Sequence, residues 1–496
     1  MSGEGAGGGL VVSGGGSSAV ASDELFTDAQ ALEEVSEQLA RAVGELARID
    51  ARVSAGLLRR TDAPVSAFEA EAEIDSAAGL LGAAGSRAET IALMLRLSAE
   101  GYGRAERLAE RAVQELAARL GYGIGMLLPM LVTVMLPALP VAVAGLAVAA
   151  LASAAVPGWS RRVPGALGSW LAENNRVLTN PGTVALVRAG VMSIDDVIAG
   201  ALRVPPAAAH ALGDEGAGIT GVATSAGFFS VVGSRLGMLA ETPLLGKEVT
   251  TRAVVQRDVH APPRGLAERI DRIPQRTHNA EGDAVGSHVL VERYSTPGEP
   301  DRFEVYITGT ADFSPVAGEE PFDLTSGVTG VANMPAASIE AVRQAMADSG
   351  VTAESPVQFT GFSQGGLIAA RLAASGDYNT MGLFTAGSPT GQIEVPSAVA
   401  VLELEHTDDI VPALGGVRTD YDAVLVEREA FAGRDTPEGV AVPSHNRVEY
   451  RATAVLAEQA GSDRVTEVVD RLNGFSAGAT SIVSTSYVAE RPEPRG

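Results

Sequence analysis

Val357-Gln358-Phe359-Thr360-Gly361-Phe362-Ser363-Gln364-Gly365-Gly366 is the stretch on which the reading of this chain turns. A short run of strand-forming residues enters Gly-x-Ser-x-Gly, and a helical pattern begins near Gly366. A serine held on so tight a strand–turn–helix corner tolerates only small neighbours, which the flanking glycines supply. The helix start behind it offers oriented N–H groups and partial positive charge to a developing oxyanion. Ser363 is therefore the expected nucleophile and the Gln364 amide an expected oxyanion donor. Among 57 glycines the string alone carries little weight, since Gly474-Phe475-Ser476-Ala477-Gly478 also matches. That second serine follows a helix and has no histidine after it, so context selects Ser363.

Outward from the elbow, strands are expected at His288–Tyr294, Phe303–Ile307, Val357–Thr360, Gly382–Ala386, Ala398–Leu404 and Ala423–Glu427. Helices are expected at Ser338–Asp348, Gly365–Ala374, Asn446–Gln459 and Arg464–Leu472, with Ile339, Val342 and Met346 sharing a face. Such alternation predicts a mostly parallel α/β sheet with flanking helices over 281–475. An elbow serine in this architecture is followed in chain order by an acid and then a histidine. Asp408 and Asp409 follow the Ala398–Leu404 strand, where functional loops of α/β sheets lie. His445 is the one histidine beyond His406. It would accept the Ser363 proton and return it to the leaving group, with the acid fixing its tautomer. The turn Thr308-Gly309-Thr310, after the second strand, offers a second oxyanion donor at Thr310. Residues 311–333, between that turn and the next helix, stand where a mobile cover would sit.

These residues carry a resemblance. Val305…Thr308-Gly309-Thr310, Phe322-Asp323-Leu324, the elbow, Phe384-Thr385-Ala386-Gly387-Ser388-Pro389, Asp409-Ile410-Val411-Pro412 and His445…Tyr450 follow one another as in lipases of the class 3 type. The resemblance covers roughly 288–460. It implies an α/β hydrolase that cleaves carboxylic, including lipid, esters through an acyl-enzyme. It points to Asp409, which directly precedes the Val-Pro turn, as the acid. The chain departs from that family in having Thr308 where an Arg is usual. It also has Phe362-Ser363-Gln364 where His-Ser-Leu is usual, a form shared with cutinase-like and thioesterase-like hydrolases. A thioesterase or acyltransferase on the same triad remains open.

The rest of the 496 residues reads differently. Residues 1–22 are Gly/Ser-rich and are expected to be a disordered leader; no secretory signal peptide is visible in them. Over 23–122 a helical hairpin is expected, from Asp23 to Leu57 with Leu25, Leu32, Leu39 and Leu46 in a seven-residue row, and from Arg87 to Leu120. No charge occurs between Arg119 and Arg161, and the apolar segment 123–156 is either membrane-inserting or a buried hairpin broken by Pro137 and Pro140. Residues 157–280 read as a mixed helical linker and 476–496 as a flexible tail.

The helical half resembles, more loosely, WXG-type substrates of type VII secretion, whose export signal Tyr102-x-x-x-Glu106 fits, although the Trp-x-Gly turn is missing. That resemblance implies export without a cleavable signal peptide, or membrane association, with 23–120 meeting secretion machinery or a helical partner. A toxin or adaptor acting through this half, with an inactive hydrolase region, is the alternative function.

The net charge of -24, from 61 acidic and 37 basic residues, argues against nucleic acid as a partner. The absence of cysteine excludes disulfides and thiolate chemistry. Six scattered histidines without a ligand motif point to no metal, and no glycine loop suggests an organic cofactor.

Overall fold

The computed structural model describes residues 10–14, 20–52, 69–93, 175–201, 249–259, 261–278, 284–314, 316–419 and 422–492, with a few single positions between 173 and 239. Two compact units are present, Ser17–Glu110 and the remainder of the chain.

In the smaller unit, α1 spans Val20–Arg52 and α2 spans 69–93. Ser36 Oγ donates to the Gly85 carbonyl at 3.2 Å, and Leu39 lies close enough to Gly85 to touch a Cβ built there. Ser36 and Gly85 stand equally far from the connection along their helices, the geometry of an antiparallel pair. Leu32, Leu39 and Leu46 are half-buried, whereas Val35 (44%) and Ile49 (47%) face outward. The second helix begins at 69, ahead of the expected Arg87; Thr61–Pro64, Tyr102, Glu106 and the segment 123–156 lie outside the described residues. Among the described residues no helix is long and apolar enough to cross a membrane.

The larger unit is built on a nine-stranded mixed sheet in the order β1-β10-β9-β8-β7-β6-β5-β11-β2. Its strands are β1 (Val11–Gly14), β2 (Thr250–Asp258), β5 (Val289–Ser295), β6 (Arg302–Ile307), β7 (Pro356–Phe362), β8 (Asn379–Ala386), β9 (Ala400–His406), β10 (Val424–Arg428) and β11 (Ser481–Glu490). A separate hairpin pairs β3 (Arg276–His278) with β4 (Ala284–Gly286). Strands β6 to β10 run parallel, as the strand–helix alternation predicts, and the flanking pairs are antiparallel.

The helices of this unit are α3 (Asn175–Leu178), α4 (Pro181–Ala201), α5 (Gly265–Arg272), α6 (Leu324–Val331), α7 (Ala337–Asp348), α8 (Gln364–Ala374), α9 (Ile410–Ala413), α10 (Arg447–Gln459) and α11 (Asp463–Phe475). Alternation along each strand splits the core. Val305, Val357 and Phe359 join Ala341, Val342, Met346, Leu367 and Ile368 of α7 and α8 on one face. Phe384, Leu402 and Leu404 join Leu266, Ile270, Tyr450, Ala454 and Leu472 of α5, α10 and α11 on the other.

Three sequence expectations are corrected. Within the expected flexible tail, 476–496, Ser481–Glu490 forms β11 inside the sheet, paired with β5 and β2. Its alternation of Ile482, Ser484, Thr485, Tyr487 and Val488 suits a pleated strand whose partners lie far away in sequence. Within the leader, Val11–Gly14 pairs antiparallel with β10 and buries Val12, and α1 already begins at Val20. The region 157–280 contributes β2 and α5, so the sheet unit recruits chain well before residue 281.

Candidate active site

Strand β7 ends at Phe362, and Ser363 turns the chain into α8 with φ 56° and ψ −126°, a left-handed conformation costly for a residue with a Cβ. Steric demand explains the glycines around it. A Cβ at Gly361 would come 2.3 Å from the Gly365 backbone, and one at Gly365 would come 2.2 Å from the Ile307 carbonyl. The Ser363 amide is tied to the Ala386 carbonyl at the end of β8 (2.9 Å), which locks the corner onto the neighbouring strand.

His445 reaches Ser363 with its Nε2 2.8 Å from Oγ, and its Nδ1 lies 2.7 Å from Asp409 Oδ2. Each loop is set by a helix cap. Asp409 caps α9 by accepting from the Val411 amide at 2.9 Å, leaving its other oxygen to His445. Asn446 caps α10 by accepting from the Val448 amide at 2.8 Å, which fixes His445 immediately before the helix. Asp409 is fully buried, while Ser363 keeps 8% and the His445 side chain 12% of their surface. The carboxylate is thus the deepest of the three groups and the imidazole the most exposed.

Asp408, the other acid left open by the residues alone, points elsewhere. Its carboxylate accepts from the amides of Ala430 and Phe431, both at 2.9 Å. The second Gly-x-Ser-x-Gly serine, Ser476, is a buried helix C-cap residue. The Gln364 amide stands at the first position of α8, where no carbonyl of its own helix can meet it. A Cβ at Gly309 would lie 3.1 Å from Ser363 Cβ, so the turn after β6 is pressed against Ser363. Thr310 follows, half-buried, and its amide has no hydrogen-bond acceptor among the described residues.

Several contacts had no counterpart in the motif reading. Tyr450 OH donates to Asp409 Oδ2 at 2.8 Å, so that oxygen is shared by His445 and a fully buried phenol. Burial, then the Asp409 charge and hydrogen bond, push the Tyr450 pKa far above its ordinary value, which keeps it a donor. Phe362 stacks on the His445 ring (4.8 Å between centroids, 22°) and meets Tyr450 edge-on. The spacing from Asn446 to Tyr450, one helical turn, was the available signal.

Part of the 311–333 segment is tied down in the structure. Phe322 and Asp323 are fully buried, and Arg491 binds both Asp323 oxygens and the carbonyls of Gly318 and Glu320. Glu320 Oε1 lies 2.7 Å from Nε2 of the buried His288. Burial would raise the Glu320 pKa, but the His288 hydrogen bond and its neighbours outweigh it and hold the carboxyl below the usual range. Phe313, 64% exposed, and Val316 form the outward part of this segment.

Among the described residues no cluster suited to holding a metal occurs. Comparisons with family models, curated proteins and solved structures return no match.

Proposed function

We propose that this chain is a serine hydrolase of the α/β-hydrolase kind, cleaving carboxylic esters, lipid esters among them, through an acyl-enzyme. The observation that carries the reading is the unbroken Ser363–His445–Asp409 relay on a left-handed elbow. In it, His445 Nε2 takes the Ser363 proton as Oγ attacks the ester carbonyl. Asp409 holds Nδ1–H and stabilises the imidazolium. The amides of Gln364 and Thr310 receive the oxyanion, and the imidazolium gives its proton to the departing alkoxide. Water, activated by the same imidazole, then attacks the acyl-enzyme carbonyl and releases acid and free Ser363. Phe313 and Val316, exposed apolar residues three and six positions after Thr310 in sequence, support an acyl chain over a sugar or phosphate.

The test is fluorophosphonate labelling of wild type and Ser363→Ala, with short- and long-chain p-nitrophenyl esters and an acyl thioester assayed alongside. Ser363→Ala is expected to lose labelling and on the order of 10⁶-fold in turnover, with unchanged thermal stability. Retained labelling in that variant would sink the assignment. A preference for the thioester would move the reading to a thioesterase on the same triad.

A further inference from the structure

Beyond the triad lies a second histidine, His406, with 1% of its surface exposed. It ends β9, three residues before Asp409. Its Nδ1 is 2.8 Å from the carbonyl of Ser444, the residue before His445. A carbonyl can only accept, so Nδ1 carries the proton. Its Nε2 lies 2.8 Å from Thr453 Oγ1, on the helix that follows His445. The ring lies flat on Tyr450, 3.8 Å between centroids at 15°, and the His406 amide donates to the Tyr450 hydroxyl at 3.2 Å. Tyr450 in turn donates to Asp409. His406 therefore touches the acid side of the site through Tyr450 and the histidine side through Ser444.

We propose that His406 is a positioning residue for the triad, joining the acid loop to the histidine loop through the Ser444 carbonyl and the Tyr450 ring. The inference rests on the reading of Ser363, His445 and Asp409 as a working triad. The two loops are separated in sequence by β10 and the segment 429–444. The His445–Asp409 bond is a single contact between them, and the imidazole at its end changes charge in every cycle as Nε2 gains and loses its proton. His406 supplies a link whose bonds do not change during turnover. Burial holds the ring neutral, with its pKa below the ordinary value; this outweighs the Ser444 carbonyl and the charges of Asp409 and Asp408, while Arg428 adds to the shift. A neutral ring keeps its one donor on Ser444, while Thr453 Oγ1, which accepts from Arg428, shares its single proton between Nε2 and the Glu449 carbonyl.

The test uses His406→Phe, which keeps a ring over Tyr450 and loses both nitrogens, and His406→Asn, whose amide can still donate to Ser444. Active sites are counted by fluorophosphonate titration, and kcat, KM and the pH profile of kcat/KM are measured per titrated site on p-nitrophenyl butyrate. The phenylalanine variant is expected to lose about 10- to 100-fold in kcat per site, the cost of a small misplacement. KM should stay within about twofold, the acid limb of the profile should shift, and His406→Asn should recover most of the loss. Wild-type kcat and pH profile per titrated site in His406→Phe would overturn the proposal and leave His406 as core packing. Equal losses in both variants would overturn the Ser444 link.

A readout free of turnover separates this inference from the hydrolase reading. The low-field proton resonance of His445 Nδ1–H against Asp409 should move in His406→Phe; an unmoved resonance overturns the positioning role whatever the activity. Wild type that neither labels nor turns over would instead overturn the hydrolase reading. If His406→Phe does not fold, His406→Gln, which reaches Thr453 and leaves Ser444 unmet, takes its place with the same expectations.

Discussion

Of the buried charged groups that meet partners in this sheet unit, Asp409 and the Arg269–Glu304 pair differ in almost every respect but burial. Asp409 faces a histidine that reaches Ser363, so its hydrogen bonds form a line from a fully buried carboxylate to two groups that keep some exposed surface. Arg269 and Glu304 face each other at 3.0 Å with both side chains fully buried, and their bonds close on themselves. Glu304 also accepts from Gln358, Thr360 and Tyr294, while Arg269 donates to Asn473 and to the carbonyls of Gly265 and Leu472. Perturbed ionisation alone would not tell them apart: burial drives the Tyr294 and Tyr306 pKa values far upward and raises that of Glu292 around the second group, just as it drives Tyr450 upward beside the first. A site that performs chemistry needs an open end as well as a perturbed environment, and the Arg269 cluster has none.

The largest expected contrast comes from cutting each pair once. Asp409→Asn should lower kcat on the order of 10⁴-fold, because an amide no longer holds the His445 tautomer, while the denaturation midpoint stays near that of wild type. Retained turnover would mean that Asp409 does not serve as the acid. Arg269→Met should do the reverse. Glu304 left buried without its cation costs about 3–5 kcal/mol of stability, read by urea unfolding, and kcat per titrated site should hold. Adding Glu304→Leu should recover part of that stability. A loss of per-site activity comparable to Asp409→Asn would erase the distinction between the two groups.

The smallest effect concerns acid. His406 has a folded pKa below 6.5, its ordinary value, so the unfolded chain takes up the proton first. Its contribution to stability is complete above 6.5 and is lost as pH falls from there towards the folded pKa. The slope is at most about 1.4 kcal/mol per pH unit. A His406→Phe protein should show a shallower decline below 6.5 in urea midpoints; an identical decline would mean that the ring gains its proton equally in both states.

Much of the sheet's parallel centre was legible because each strand and its following helix are neighbours in sequence, and periodicity reports neighbours. Phe359, Leu383 and Leu404 announce buried strands without knowledge of their partners. The flanks were not legible for the same reason. Strand β11 pairs with β2 across more than 200 residues, and Ser484 and Ser486 in its middle resemble a polar tail until those partners are known. At the site, Ser363 and His445 followed from context and order. Asp409 could be told from Asp408 only through resemblance, since the distinction lies in which way two adjacent carboxylates turn. Tyr450 left only the one-turn spacing from Asn446 as a signal, and His406 acts through bonds made across the fold, which no local spacing encodes.

The placement of β11 has a consequence for synthesis. Until residues near 490 have left the ribosome, β5 and β2 each present an open edge to other nascent chains, and Arg491 cannot seat Asp323 beside the elbow helix. The triad residues emerge earlier, by residue 445. A nascent chain therefore carries Ser363, Asp409 and His445 before it can complete this side of its sheet, and the sheet closes there only when β11 slides in between two strands that have been waiting for it.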